Sequence, residues 1–112
     1  MEEYVDLVEV GHTSGNHAVV LGLLSALLGI PPFDAVAGEL SAFSAGWVAA
    51  AVRLGLTDHL TAQFVLRRVH PALVEAAERA VVGDVDDIGG CTPLPDLMSM
   101  RHEHAELRLF SS

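Results

Sequence analysis

The sequence predicts an all-α protein, a helical bundle of about four helices built around one apolar central helix. Between Pro32 and Gly55 the run PFDAVAGELSAFSAGWVAAAVRLG places Phe33, Val36, Ala37, Leu40, Phe43, Ser44, Trp47, Val48, Ala51 and Leu54 at three- and four-residue steps. That is the period of one buried helical stripe. Glycine, proline and capping residues interrupt the chain at Gly29-Ile30-Pro31-Pro32, at Gly55-Leu56-Thr57-Asp58 and at Gly83, which leaves helix-length segments between them. Of the 112 residues, 51% are hydrophobic and 19% charged, which suits one domain over 1–112 with a modest core and excludes a disordered tail.

The central segment is apolar nearly all round. A second face carries Gly38, Ala42, Gly46 and Ala50 at four-residue spacing, small enough for another helix to approach backbone to backbone. Only Glu39 and Arg53 are charged between Ala35 and Leu54. Such a helix is expected to have neighbours on several sides.

In chain order, Glu2 to Val10 alternates loosely and fits either a frayed helix or a short strand. Gly11 to Asn16 is a turn in which Thr13, Ser14 or Asn16 can cap the next segment. His17 to Leu28 reads as a helix that Gly29 stops, and Ile30-Pro31-Pro32 makes a rigid corner. Asp58 caps a helix over His59–Val82, with Leu60, Phe64, Arg67 or Arg68, Leu73, Ala77 and Ala80 at helical spacing. Pro71 lies inside it and predicts a kink or break near Val69-His70. Asp84 to Pro95 reads as loop, after which Asp96 caps a last helix from about Leu97 to Leu107.

Net charge is −9, and all six basic residues are arginine, with no basic patch; a nucleic-acid partner is therefore not expected. The opening MEEYVDLVEVGHTSG is acidic where a signal peptide carries positive charge, and Cys91 is the only cysteine. Both favour a cytoplasmic setting. Glu39 and Arg53 argue against placing the central helix in lipid.

No self-sufficient active site is legible. A phosphate loop needs a lysine, and the chain has none; Gly11 to Gly15 reads GHTSG, with serine one place late for a nucleophile elbow. His102 and His104 flank Glu103, but i and i+2 point to different faces of a helix and cannot chelate one ion. No resident metal or cofactor is expected. Cys91 reads as an ordinary loop thiol and Asp84, Asp86 and Asp87 as solvated carboxylates. The apolar surface is more than a short bundle can bury, so self-association or partner binding is expected through the His17–Leu28 helix and the small face of the central one.

The last segment is the most informative. It contains Asp87-Ile88-Gly89-Gly90, then Pro93-Leu94-x-Asp96-Leu97-x-Ser99-Met100-Arg101-His102-Glu103, then Arg108-Leu109-Phe110-x-Ser112. With Asn16-His17-Ala18-Val19, Gly29-Ile30-Pro31, Trp47-x-x-Ala50-Ala51-Val52-Arg53-Leu54-Gly55, Thr57-Asp58 and His70-Pro71 upstream, it resembles the carboxyl-terminal half of the urease accessory protein UreF family. The likeness covers about Gly11 to Ser112. Members are about twice this length.

The resemblance implies an all-α protein without catalysis of its own. It implies a scaffold or chaperone that dimerises, binds UreD (also called UreH), presents a surface to the GTPase UreG, and helps pass nickel to apo-urease. Carried onto this chain, Met100, Arg101, His102 and Glu103 with Arg108, Leu109 and Phe110 are the candidate partner-contact residues. The competing reading of the same residues is structural: Met100, Leu109 and Phe110 close the bundle while Arg101 and Glu103 cap or pair. Two further functions stay open, a direct nickel carrier using His102, His104 or Cys91, and a helical segment with only a packing role.

Overall fold

The computed structural model describes residues 1–90 and 92–103. In these the elements are α1 (Glu2–Glu9), α2 (His17–Leu27), α3 (Pro32–Arg53), α4 (His59–Val82), a single 3-10 turn at Val85–Asp87 and α5 (Pro93–Glu103). No strand occurs among the described residues, and Glu2–Glu9, for which periodicity left two options, is helical.

Helix ends are fixed by local hydrogen bonds. The Asn16 side chain accepts from the Ala18 N–H (2.9 Å) at the start of α2. Pro31 and Pro32 enter α3, where the first turn has no use for the missing N–H. At the end of α2 the Gly29 N–H donates to the Ala26 carbonyl (3.1 Å) and the Ile30 N–H to the Ser25 carbonyl (2.9 Å). Gly55 and Leu56 repeat this on Val52 and Ala51 after α3, and Gly11 and His12 on Val8 and Leu7 after α1. This is the Schellman arrangement. It requires left-handed backbone at the glycine, and Gly29 and Gly55 both sit at φ 70°.

Asp58 holds the start of α4. Its Oδ1 accepts from the Leu60 N–H (2.8 Å) and the Thr61 N–H (2.9 Å), while Thr61 Oγ1 donates to Oδ2 (2.8 Å). The backbone bond from Thr61, then its hydroxyl, holds the Asp58 carboxyl below its ordinary value of 3.8.

Packing is concentrated in one antiparallel pair. α3 and α4, joined through Leu54–Asp58, lie along one another, and α2 packs against α3. Half-buried Leu40, Ser44, Val48 and Ala51 of α3 share a face, as do Leu66, Val69, Leu73 and Ala76 of α4 beside buried Ala62 and Ala77. Val48 and Val52 meet Ala62 and Leu66 at the seam. At the other corner Ser25 is buried, and His17 Nε2 lies 3.5 Å from Glu39 Oε1, tying α2 to α3. Exposed pairs of this kind contribute at most about 1 kcal/mol.

Four expectations are corrected. The break expected near Val69-His70 does not occur: α4 is one continuous helix through Pro71, with inward residues on both sides of it (Val69, Leu73, Val74) packing the helix across the lost hydrogen bond. Its inward face is Ala62, Leu66, Val69 and Leu73, so Leu60 (82% exposed) and Phe64 (61%) face solvent. α5 begins at Pro93, not near Leu97: Pro93 and Pro95 fit its first turn, and Thr92 donates from its N–H and its Oγ1 to the Asp96 carboxylate (both 3.1 Å). Finally, among the described residues α3 has only α2 and α4 as packed neighbours, and it has no buried residue. By length and composition it is apolar enough to cross a membrane; here it lies along α4, whose exposed residues include Arg67, Arg68, Glu75 and Arg79.

The result is open. The Cα radius of gyration is 17.0 Å, against about 13 Å for a compact domain of this length.

Two stability outcomes follow from the helix ends. Gly55→Ala, which puts a Cβ on left-handed backbone, lowers unfolding free energy by about 1–2 kcal/mol in a denaturant titration. Asp58→Ala lowers the melting temperature at neutral pH. A depressed carboxyl contributes its stability above the ordinary value and loses it as pH falls through the lower folded one. The gap to Asp58→Ala therefore narrows below pH 3.8, whereas Asp58→Asn, an equally good cap, shows no such dependence. Parallel melts across that range test both statements.

Candidate functional site

The partner-contact residues expected from sequence fall on α5 and beyond it. Met100, Arg101 and His102 lie on its last turns, all exposed, and Glu103 is its final residue. Arg108, Leu109 and Phe110 lie outside the described residues, as do Cys91 and His104.

The structure divides this set. Leu94, Met98 and His102 recur every four residues on one side of α5 and, with Pro95 and Ser99, form one wall of a cleft of about 660 Å³. Trp47 and Leu54 of α3 form the other wall. Met100, two residues from Met98, lies on the far side of α5 and is 64% exposed. His102 thereby lines the same cleft as Trp47, and Met100 does not.

Trp47 is the residue that sequence patterning misplaces. Its spacing assigns it to the buried stripe of α3, yet it is 61% exposed, as is Phe43 at 62%. The two rings pack edge to face, centroids 6.1 Å apart and planes at 65°, a favourable aromatic geometry. The signal was the width of the stripe: Leu40, Ser44 and Val48 lie on the half-buried side, while Phe43, Trp47 and Leu54 lie about a quarter-turn round the helix. A second outward patch joins Leu60, Phe64 and Arg67 on α4, with the Arg68 guanidinium 5.9 Å from the Phe64 ring centroid.

Among the described residues, no three His, Cys, Asp or Glu side chains gather closely enough to hold a metal ion. The described residues form instead an apolar cleft between α3 and α5 with Ser99 and His102 as its polar lining.

An all-α chain with an apolar cleft between two of its helices is the class that the described residues define. The comparisons narrow the class: the UreF family model matches residues 1–70, and the chain belongs to the UreF family. Among curated relatives, the urease accessory protein UreF of Bradyrhizobium sp. (strain ORS 278) is 36% identical over 96 residues, covering 86% of this chain and 40% of the relative. UreF of Mesorhizobium japonicum is 35% identical, covering 86% and 43%, and that of Brucella ovis 32%, covering 86% and 42%. This chain therefore spans about 40% of the length of the curated relatives it matches. The family model ends before α5, whereas a match of 96 residues necessarily continues past residue 70. No solved structure matches.

Trp47 is the only tryptophan, so its emission reports on the cleft. Met98→Asp shifts that emission to the red and increases acrylamide quenching, while Met100→Asp on the far side of α5 changes neither. Equal spectra for wild type and Met98→Asp would remove α5 from the cleft wall.

Proposed function

We propose that this chain serves urease maturation in the cytoplasm as a scaffold or chaperone without catalysis of its own. It bridges UreD/UreH and the GTPase UreG, as a homodimer, while nickel is delivered to apo-urease. Membership of the UreF family carries this reading, since the relatives are named urease accessory proteins. Nickel is cargo of the assembly, and no resident metal is assigned to this chain.

The partner-contact segment is the end of α5 and the residues after it: Met100, Arg101, His102 and Glu103 with Arg108, Leu109 and Phe110. What supports the α5 part is the exposure of Met100, Arg101 and His102 on one short helix end, where apolar and basic side chains stand together on an otherwise acidic chain. An arginine and a flexible, polarizable methionine are side chains that interfaces favour.

Deleting Arg108 to Ser112 tests the assignment. Burying a leucine and a phenylalanine contributes roughly 1.5–3 kcal/mol each, so their loss from an interface weakens UreD/UreH capture by about a hundredfold or more. Urease activation in cells falls accordingly, while the circular dichroism spectrum stays helical. An unchanged pull-down combined with a large drop in melting temperature would assign the tail to this chain's own core.

A further inference from the structure

We propose that the uncovered side of α3, from Phe43 through Trp47 to Leu54 and across the cleft to Leu94 and Met98 of α5, is an internal surface of a family-length UreF protein. Its occupant is apolar helix from the part of such a protein that this chain does not span. The inference rests on family membership and on none of the partner assignments above.

Surface area carries it. The chain exposes 9306 Å², where a compact protein of 11.9 kDa exposes about 6,000 Å². Because 96 matched residues make up 40% of the Bradyrhizobium relative, that protein runs to about 240 residues and, folded compactly, exposes about 10,000 Å². This chain alone thus presents nearly the surface expected of the whole. Much of what it presents must become interior when the remaining helices are added.

The same numbers choose among occupants. A standard protein–protein interface takes about 800 Å² from each partner, and the surplus here is about 3,300 Å². One contact with a second copy leaves most of it open, whereas packing on the scale of a domain core does not. The chemistry agrees: the cleft is walled by Trp47, Leu54, Leu94, Pro95 and Met98, which suits leucine-rich helix faces rather than a charged ligand. A bilayer is disfavoured by Glu39, held to His17 on α2, and by the exposed arginines of α4 running beside α3.

The test co-expresses the full chain with the residues of the Bradyrhizobium UreF that lie outside the match, any tryptophan in that segment replaced by phenylalanine. The two are expected to co-purify as a one-to-one complex, with Trp47 emission shifted to the blue. Phe43→Asp is expected to weaken capture at least tenfold with unchanged helical circular dichroism. A complex in which Trp47 keeps its exposed spectrum overturns the proposal. So does a blue-shifted homodimer of this chain alone, which names a second copy as occupant, or a shift produced by phosphatidylcholine vesicles and not by the segment. Where the segment does not express, a chimera with this chain in place of the matched residues gives the same readout, and an exposed Trp47 there is equally fatal. None of these measurements involves UreD/UreH, UreG or urease, so the proposed function and this inference can fail separately.

Discussion

The seam between α3 and α4 is the interaction on which the rest of the structure depends. The two buried apolar residues among those described are Ala62 and Ala77, and both are on α4. Alanine at those points lets the backbones come close, but it removes little apolar area from water, and area is what the hydrophobic effect rewards. The seam is therefore narrow. α2 adds one corner through Ser25 and the His17–Glu39 pair, and α5 is carried at the end of a loop and a 3-10 turn. Any change that separates α3 from α4 leaves the other helices without a platform.

How much was legible depended on the range of the interaction concerned. Asn16, Gly29, Gly55 and Asp58 mark helix ends through bonds spanning two to five residues, so the sequence alone places those ends closely. Asp96 misleads for an instructive reason. It was read as a cap because aspartate commonly is one, yet its carboxylate reaches back to Thr92 from inside the first turn of a helix whose prolines need no donors. Pro71 misleads in the opposite sense, since a local rule predicts a break that tertiary packing on both sides overrides.

The apolar residues of the cleft were legible, but not the face that each occupies. Periodicity establishes that Phe43, Trp47 and Leu54 are apolar and adjacent, but a pattern cannot say whether a neighbour exists to cover them. The all-round apolar character of α3 fits a helix with several neighbours; two of them are among the described residues. Met100 to Glu103 fall on the last helix, yet which of them lines the cleft opposite Trp47 needed the true start of α5, three or four residues earlier than Asp96 suggested.

The repeated glycine corners bear on how such a surface is presented. After α1, α2 and α3 the chain turns by the same pair of backbone bonds, made wholly within each corner. The directions in which α2 and α4 leave their corners are therefore set before any side chain is covered. Whatever docks on α3 meets a frame whose bends are already chosen, and the conformational entropy of choosing them is charged to folding rather than to association. Stiff corners joined to uncovered faces make the frame receptive without making it loose.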